Sequence, residues 1–367
     1  MEGNEEVLQA GGLEGFGAKR GSVISGDSSH KHENRRGGTG GLQSETAKKT
    51  KAKPDSKKGM DITTRIGCRN NCSYCPQKLL INNYLKRSNE MVLTLDNFKT
   101  CLSKIPKDIT INFAGMAEPF LNPDCTEMIL HTFSEGHDNV SIYTTLVGLT
   151  KKDYLRLKDL PFFFFTIHIP DNEDKTRINV DNDYLELLEF ILKNQPTNRV
   201  DKDKFSLVYF DTIHKDIINI LKRCKVKVVK GIIENRSNVK EFTEFEKRSG
   251  EYYCADSPLL QRNILLPSGD VTVCCMDYGL KGILGNLLKD DYASLFKENH
   301  ERALKSIESG GIKGLCDSCE LCRKRYSVKD IKTRTMERLV RIRTLKIIKR
   351  SFVNIFGRFF TKTYLKH

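Results

Sequence analysis

The chain has 367 residues, of which 38% are hydrophobic and 29% charged, and it contains twelve cysteines. This length is sufficient for one large domain and a smaller second one. No uncharged apolar run reaches the roughly 18 residues that a membrane span requires, and the first residues lack the pattern of a secretory signal. Composition therefore argues against an integral membrane protein and against a secreted disulfide-rich one, and we expect a cytoplasmic protein.

The net charge of +14 is concentrated at the end of the chain. Residues 323–367 contain fifteen lysines and arginines but only two acidic residues, whereas the rest of the chain is close to neutral. A nucleic-acid affinity inferred from the total charge would therefore concern this tail alone. At the other end, residues 1–59 are rich in Gly, Ser, Lys and Glu and show no periodicity, so they are predicted to be a disordered leader.

Three closely spaced cysteines make residues 63–77 the most informative stretch of the chain. Cys68, Cys72 and Cys75 follow C-x3-C-x2-C spacing, and thiolates are the usual ligands of iron–sulfur clusters. A structural zinc site would normally have a fourth ligand nearby, and no Cys or His follows within the next twenty residues. Three ligands would leave one iron of a four-iron cluster open. A zinc knuckle or a chance cluster stays an alternative on spacing alone.

This spacing, with the aromatic residue Tyr74 directly before the last cysteine, resembles the signature of the radical S-adenosylmethionine (radical SAM) superfamily. The resemblance implies that Cys68, Cys72 and Cys75 hold a 4Fe-4S cluster whose open iron chelates the amino and carboxylate groups of S-adenosylmethionine (SAM). It also implies a flavodoxin- or ferredoxin-type electron donor and the fold of an incomplete (β/α)6 barrel.

Strand and helix patterns alternate over residues 60–249, as in a parallel α/β sheet covered on both faces. In such folds the loops after the carboxyl ends of the strands build the site, and the cysteine loop follows the first strand. Strands are predicted at 61–66, 108–114, 139–145, 162–169, 205–210 and 225–233. Helices are predicted near 94–105, 123–135, 150–158, 182–194, 214–224 and 238–248.

The loops after the next strands contain further candidate residues. Gly115 would let backbone approach a ligand, and Glu118 places a carboxylate at a strand end; an ordinary strand-to-helix turn is the alternative. The segment resembles the superfamily's G-x-GEP motif, which binds the amino group of the methionine moiety, although Ala117 replaces a glycine. Thr144 and Thr145 stand where relatives often have Thr-Asn-Gly, which would place them near the ribose and carboxylate of SAM.

The end of the fourth predicted strand and the loop after it contain two weaker candidates for functional residues. His168 and Asp171 are predicted to point towards the barrel mouth, where a substrate could bind. A packing role for the histidine is equally compatible with the sequence, so no catalytic residue is assigned.

A second group of cysteines follows the predicted barrel. The segment 263–275 predicts a β-hairpin with a Pro-Ser-Gly-Asp turn. Its C-x14-G-x4-C pattern and the later C-x2-C, over residues 250–325, resemble the SPASM or twitch extension of radical SAM enzymes, which implies an auxiliary 4Fe-4S cluster. A zinc ribbon is the alternative. The implied ligands are Cys254, Cys274, Cys316 and Cys319, with Cys275 and Cys322 as spare thiols.

The basic tail, residues 326–367, is predicted to be helical. Apolar residues recur every three or four positions on one face, with lysines and arginines on the others. This composition is typical of a helix lying on an anionic membrane surface, and docking on a partner or on the protein itself stays open. Nucleic-acid binding is disfavoured, because the aromatics lie on the apolar face. The residues predicted on this face are Ile331, Thr335, Leu339, Ile342, Leu345, Ile348, Phe352, Ile355 and Phe359.

Together these features predict a radical SAM enzyme that modifies or oxidises a peptide or a small or glycan-type molecule, with contact at the inner face of the membrane through the tail. Two other classes of protein are compatible with the sequence. One is an iron–sulfur redox or scaffold protein without catalysis, and the other is a zinc-binding nucleic-acid module.

Overall fold

The computed structural model describes residues 58–196, 205–224, 226, 228–231, 252–254, 262–308, 315–316, 319 and 322–324. Residues 1–57 of the predicted leader, the predicted helix at 238–248 and the tail from 326 onward lie outside this range. No helix within the described part of the chain has the length and apolar content needed to cross a bilayer.

Six parallel strands in sequential order form the main layer of the fold, and the described strands do not close into a full barrel. Every predicted strand of this layer is present, so the predicted incomplete barrel is confirmed. The strands are β1 (Gly59–Ile62), β2 (Thr110–Phe113), β3 (Val140–Thr144), β4 (Phe164–His168), β5 (Phe205–Tyr209) and β6 (Val228–Lys230).

Helices follow the strands, and several begin at residues that cap them. Thr94, Thr150 and Asp181 each accept a hydrogen bond from the backbone amide three residues later, which satisfies an amide that the first turn leaves unpaired. Five predicted helices are confirmed with slightly shorter ends. The helices are α1 (Gln77–Tyr84), α2 (Leu95–Leu102), α3 (Cys125–Ser134), α4 (Lys151–Leu157), α5 (Asn182–Lys193), α6 (Lys215–Cys224) and α7 (Glu298–Glu308).

Alternation along the strands gives the layer two different faces. The face towards the helices is apolar and fully buried, with Ile62, Ile111, Ile142 and Ile167 in the main hydrophobic core. The opposite face has buried polar side chains, and the Asn112 amide donates a hydrogen bond of 2.7 Å to Asp61. A polar inner face suits a barrel that encloses a polar ligand. The buried polar residues are Asp61, Asn112, Ser141 and Thr166.

The chain after the barrel continues the same sheet. The predicted hairpin is present as β8 (Arg262–Leu265) and β9 (Asp270–Thr272), and Gly269 has the positive φ of 81° that its turn requires. β8 pairs in parallel with β1, which the sequence did not reveal. β10 (Ile283–Asn286) pairs with β9, so nine of the described strands form one sheet.

A separate pair of strands contains two of the candidate cysteines. β7 (Tyr252–Cys254) and β11 (Cys322–Lys324) are antiparallel, with Cys254 directly opposite Cys322. The proposed domain boundary near residue 250 stays a prediction.

β1 differs from its predicted range of 61–66, because it ends at Ile62. Beyond it, Arg65 forms an antiparallel bridge with Val92, and the Ile66 amide donates to the Met91 carbonyl at 2.8 Å. The chain therefore leaves the parallel sheet just before the cysteine loop.

Candidate cofactor site at the carboxyl ends of the strands

The cysteine loop lies between β1 and α1, at the carboxyl ends of the parallel strands. All three cysteines are half-buried. Burial raises the pKa of the Cys72 thiol to about 12, and the charges of Cys75 and Cys68 act in the same direction, which shows that the three groups are neighbours. Among the described side chains, no three His, Cys, Asp or Glu groups are already arranged at metal-binding distances.

Gln77, the first residue of α1, joins the cysteine loop to the segment after β2. Its Oε1 accepts a hydrogen bond from the Cys68 amide at 3.1 Å. Its Nε2 donates to the Met116 carbonyl at 2.6 Å and lies 3.3 Å from the Cys75 sulfur. The side chain is 4% exposed. One buried amide therefore joins the cysteine loop to the segment after β2, and Gln77 and Met116 are 39 residues apart in the chain.

Only glycine fits at position 115, because the backbone there has a positive φ and lies close to the residue that follows β1. The φ of Gly115 is 62°, and a Cβ at this position would lie 2.3 Å from the Thr63 Oγ1 and 2.8 Å from the Thr63 Cα. The same Thr63 hydroxyl accepts a hydrogen bond from the Met116 amide at 3.1 Å. No larger residue fits here, because the neighbouring atoms include backbone.

Glu118 is buried, and its carboxylate holds the ends of β2 and β3 together. Its Oε1 accepts from the Thr144 hydroxyl at 2.7 Å, and its Oε2 accepts from the Thr145 amide and hydroxyl at 2.6 and 2.7 Å. The Phe120 amide adds a longer bond of 3.4 Å. A carboxylate accepts about four hydrogen bonds, so this one is saturated by the protein.

The same network reaches the cysteine loop through Asn70, whose Nδ2 donates to the Thr145 hydroxyl at 2.9 Å. Burial raises the pKa of Glu118, and the hydrogen bonds from Thr144, Thr145 and Phe120 lower it, with burial the larger effect. An ammonium group placed nearby would favour the ionised form. The structure thus brings Glu118, Thr144 and Thr145 together beside the cysteine loop.

Tyr74 is 8% exposed and packs against Phe210, with the ring centroids 5.6 Å apart. His168 packs on the same phenylalanine, at 5.4 Å. These edge-to-face contacts connect the cysteine loop to the ends of β4 and β5. His168 therefore packs in an aromatic cluster at the ends of β4 and β5, and a role in substrate binding stays a prediction.

Asp171 has a structural role in the loop after β4. Its carboxylate is buried and accepts hydrogen bonds from the Lys175 and Thr176 amides, both at 2.9 Å. The Lys175 carbonyl in turn accepts from the Ser73 amide at 2.8 Å, and the Thr176 carbonyl accepts from the Cys72 thiol at 3.1 Å. Asp171 therefore shapes a loop that packs on the cysteine loop, which sequence reasoning did not predict.

Tyr278 brings the C-terminal segment to the same site. Its hydroxyl lies 3.8 Å from the Cys75 sulfur, and its side chain is 2% exposed. Neither Tyr278 nor Gln77 belongs to a recognised pattern in the sequence. Their only signal is adjacency to cysteines, with Gln77 two residues after Cys75 and Tyr278 three residues after Cys275.

The second group of cysteines is partly described. Cys274, Cys316 and Cys319 are buried, and the Cys319 amide donates to the Cys316 carbonyl at 3.3 Å. Burial raises the pKa of Cys274, and the charges of Cys275, Asp277 and Cys319 raise it further. The side chains of Cys254 and Cys322 lie outside the described part of the structure.

These donor sets fit iron–sulfur chemistry. Three thiols in one desolvated loop match the ligands that an open four-iron cluster needs. Metal binding would have to deprotonate them, because burial holds the Cys68 and Cys72 thiols protonated at neutral pH. A carboxylate and two hydroxyls adjoin the same loop, and they could bind the polar end of an amino-acid-like ligand.

No family model matches the chain. Among curated proteins, the chain is 27% identical over 128 residues to a protein named probable dual-specificity RNA methyltransferase RlmN, from Shouchella clausii (strain KSM-K16). The aligned stretch is 32% of this chain and 35% of that protein. The chain thus spans about a third of the length of the curated relative that it matches.

Several solved structures are similar to the chain at low sequence identity. BtrN in complex with AdoMet and 2-DOIA has 16% identity and a TM-score of 0.47, over 72% of this chain and 92% of that one. Native anSMEcpe with bound AdoMet has 13% identity and a TM-score of 0.47, over 77% and 98%. Streptococcus suis SuiB bound to precursor peptide SuiA has 12% identity and a TM-score of 0.43, over 72% of each chain. In its cysteine spacing and strand order, the chain resembles the radical SAM superfamily.

Proposed function

We propose that this chain is a radical SAM enzyme. Cys68, Cys72 and Cys75 would hold a 4Fe-4S cluster with an open iron for SAM. When bound, this pair supplies reductive cleavage of SAM to a 5′-deoxyadenosyl radical, which abstracts a hydrogen atom from the substrate. The protein's own contribution is to bind and orient SAM and the substrate and to exclude water from the site.

The observation that supports this proposal most directly is the position of Gln77. The cysteine motif and the glycine-containing segment after β2 were recognised separately, and one buried side chain bonds to both, at 3.1 Å to the Cys68 amide and 2.6 Å to the Met116 carbonyl. A ligand that contacts both a metal centre and a polar strand end needs the cysteine loop and the segment after β2 to lie side by side. A zinc knuckle alone has no need of it.

Each neighbouring residue then has a role in binding SAM. Glu118 would attract the ammonium group, and Thr144 and Thr145 orient the Glu118 carboxylate through three short hydrogen bonds. Gly115 keeps the backbone open beside β1, and Tyr74 would offer an aromatic surface next to the cysteine loop. Because the carboxylate is saturated, binding an ammonium requires one of its present bonds to lengthen or break.

We also infer a second cluster, held by Cys254, Cys274, Cys316 and Cys319. Its support is the burial of Cys274, Cys316 and Cys319 and the hydrogen bond from the Cys319 amide to the Cys316 carbonyl. The backbones of Cys322 and Cys254 are paired in the register of β7 and β11, and Cys275 and Cys322 stay the proposed spare thiols. A second cluster could accept an electron from a substrate radical, which would make the net reaction an oxidation.

The substrate is proposed to be a peptide or a small or glycan-type molecule that bears polar groups. The inner face of the barrel supports this class, because buried polar side chains line it and the Ser141 hydroxyl has no hydrogen-bond partner among the described residues. A flavodoxin- or ferredoxin-type protein is the proposed electron donor, and contact of the tail with the inner face of the membrane is proposed from its sequence alone.

Anaerobic reconstitution tests the proposed function. The protein is loaded with iron and sulfide, both are counted, and 5′-deoxyadenosine is measured after SAM and dithionite are added. We expect about eight irons per chain for two four-iron clusters, and deoxyadenosine that disappears in Cys68→Ala.

Other outcomes of this experiment separate the alternatives. About four irons with SAM cleavage would remove the auxiliary cluster but keep the enzyme. Iron without any cleavage, with each candidate substrate class supplied, would favour the redox or scaffold protein. Zinc without sulfide would contradict the proposal and favour the zinc-binding module.

A further inference from the structure

The outer face of α1 is an exposed surface beside the cysteine loop, and the proposed function makes no use of it. The inner side of the helix is buried through Gln77, Leu80 and Tyr84. At about 100° per residue, the exposed residues of the other side fall within an arc of roughly 120°, since the backbone stays helical through the C-cap, Leu85. The outer face of α1 consists of Lys78, Leu79, Asn82, Leu85 and Lys86.

Two leucines give this face an exposed apolar area. Leu79 is 44% exposed and Leu85 is 48% exposed. The described residues contain five exposed large apolar side chains, and Val92 is another of them. Val92 belongs to the segment that the Tyr84 hydroxyl holds beside the helix through a bond of 2.7 Å to the Glu90 carbonyl. Three of the five are therefore concentrated around one helix, whereas exposed apolar residues on an ordinary surface are scattered singly.

The charged side chains of the outer face are both positive. Within the described part of the chain, neither Lys78 nor Lys86 forms an ion pair with a carboxylate. Residues 62–89, which include the cysteine loop and α1, contain five lysines and arginines and no acidic residue. The face therefore offers two ammonium groups to a partner, and its own helix contributes no opposing charge.

The acidic side chains next to α1 leave this positive charge in excess. Asp270, on the hairpin of β8 and β9, is already paired with Arg87 at 3.0 Å. Glu90 is exposed after the end of the helix, where it contributes one negative charge against the ammonium groups of Lys78 and Lys86. A partner with an acidic surface would thus complement this face.

The outer face and the sulfur of Cys75 lie on opposite sides of the first turn of α1. Gln77 is on the inner side, with its Nε2 3.3 Å from the Cys75 sulfur, and Lys78 is the next residue. A helix with its side chains is about 10–12 Å in diameter, so a protein on the outer face would be about one helix diameter from this proposed ligand. An electron can cross the helix, whereas a substrate cannot. The face therefore suits a partner that delivers only electrons.

We propose that the outer face of α1 docks a small acidic electron-carrier protein. Carboxylates of the carrier would pair with Lys78 and Lys86, and its apolar atoms would cover Leu79 and Leu85. Interfaces between redox partners are commonly small, below about 1,200 Å², so a single helix face and its surroundings are sufficient.

Docking would allow a single electron to move from the carrier to the cluster. The flavin or iron–sulfur group of the carrier loses the electron and is oxidised, and the proposed 4Fe-4S cluster gains it and is reduced, with no bond formed or broken. This reduction step rests on the proposed function, whereas docking itself does not.

Two other occupants fit this face less well. A second copy of the chain would bring the lysines of two identical faces together, and like charges across an interface are unfavourable. A nucleic acid would find the ammonium groups, but the exposed residues between them include no aromatic side chain on which a base could stack.

The test is calorimetric titration of the full-length, metal-free protein with an FMN-loaded flavodoxin and, separately, with an acidic 2Fe-2S ferredoxin. We expect at least one carrier to bind, more weakly at physiological than at low ionic strength. Lys78→Glu/Lys86→Glu should weaken binding roughly tenfold, because it reverses both charges. Leu79→Gln/Leu85→Gln should weaken it at both ionic strengths. The matched control is Lys152→Glu/Lys222→Glu, at exposed lysines of α4 and α6, which changes the net charge equally and should bind like the wild type.

Several results of the titration would overturn the proposal. Binding of neither carrier would do so, and so would equal affinity in all variants, which would place the carrier elsewhere, such as on the basic tail. An equal loss in both charge-reversal variants would show an effect of net charge alone. An oligonucleotide that binds where the carriers do not, or a dimer of the free protein that Leu79→Gln/Leu85→Gln dissociates, would assign the face to one of the other occupants.

The reconstituted protein separates this inference from the proposed function. With dithionite, the wild type and Lys78→Glu/Lys86→Glu should form equal amounts of 5′-deoxyadenosine, whereas reduction of the cluster by pre-reduced flavodoxin should be roughly tenfold slower in the variant. No deoxyadenosine from either protein would contradict the proposed function, and the binding result of the metal-free protein would still stand. Equal rates with flavodoxin would overturn the docking surface alone.

Discussion

The hydroxyl of Tyr278 lies 3.8 Å from the sulfur of Cys75, although 203 residues separate them in the sequence. The contact is held in place by Asp277, whose buried carboxylate accepts hydrogen bonds from the Thr272 hydroxyl at 2.5 Å and the Lys281 amide at 2.8 Å. Because β8 pairs with β1, the strand that precedes the cysteine loop, this segment is fixed to the barrel. The C-terminal region therefore contributes directly to the proposed cluster site.

We expect Tyr278→Phe to make the reduction potential of the proposed cluster more negative. A hydrogen bond to a ligating sulfur stabilises the reduced state, which bears more negative charge. A hydrogen bond that is about 1 kcal/mol stronger in the reduced state than in the oxidised state corresponds to roughly 40 mV for one electron. Spectroelectrochemical titration of the reconstituted protein measures this shift, and the iron content should stay unchanged.

Tyr84→Phe provides the control for this substitution, since the Tyr84 side chain is also buried and its hydroxyl donates to the Glu90 carbonyl instead. This variant should keep the wild-type potential. An unchanged potential in Tyr278→Phe would show that the hydroxyl does not bond to the ligating sulfur when the cluster is present.

Gln77→Leu should destabilise the metal-free protein and impair iron incorporation. The substitution keeps the approximate volume but leaves the Cys68 amide and the Met116 carbonyl without their partner. Each buried group left unpaired costs about 1–3 kcal/mol, and urea denaturation measures the loss. Asn82→Leu, at an exposed position of the same helix, should change the stability little. If both variants unfold at the wild-type midpoint, Gln77 does not join the two loops in solution.

The position of Gln77 also shows which features of the site could not be predicted from the sequence. The six parallel strands could be predicted, because short apolar runs alternate with helical periods. The placement of the cysteine loop and of Glu118 at strand ends could be predicted from the strand pattern, whereas their roles in holding a cofactor stay predictions. Gln77 could not be predicted, since its role depends on a hydrogen bond to Met116 across the sheet, and no local pattern encodes such a contact.

The pairing of β8 with β1 was missed for a related reason. A hairpin can be recognised in a sequence from its alternating apolar and polar residues and its turn. The strand with which it pairs depends on long-range hydrogen bonds. The short length of β1 was missed because the apolar and β-branched run continues past Ile62, while the chain after it pairs with the segment at Val92 instead. In both cases, the residues have the local preference for a strand that the sequence indicates. Contacts between residues that are distant in the sequence decided where the strand ends and with which strand it pairs.

Thr145→Val should weaken SAM binding by roughly tenfold, because it removes a short hydrogen bond to a carboxylate. The Thr145 hydroxyl donates to Glu118 at 2.7 Å and accepts from Asn70 at 2.9 Å, so the valine variant disconnects the carboxylate from the cysteine loop. Thr145→Ser retains the hydroxyl and should restore most of the affinity. Equilibrium dialysis with the reconstituted protein measures it, and equal affinities in the two variants would contradict a role for this hydroxyl.

His137 predicts a pH-dependent loss of stability that is independent of any cofactor. Its side chain is fully buried, and neither ring nitrogen has a partner among the described residues. Burial lowers the pKa of His137 to about 4, with the charge of Lys107 acting in the same direction and those of Glu135 and Asp138 opposing it. The unfolded chain binds a proton near the ordinary value of 6.5, so between about pH 6.5 and 4 only the unfolded state is protonated. Stability should therefore fall as the pH falls through this window.

His137→Leu isolates this contribution. One pKa unit is worth about 1.4 kcal/mol, so the wild type should lose up to about 3 kcal/mol relative to the leucine variant between pH 7 and pH 4. At pH 7 the variant should be at least as stable as the wild type, because it removes two unpaired buried nitrogens. Urea denaturation of the metal-free proteins at both pH values measures the difference, which also cancels the effects of the buried carboxylates common to both. Parallel losses in the two proteins would mean that the His137 side chain is hydrated or paired in solution.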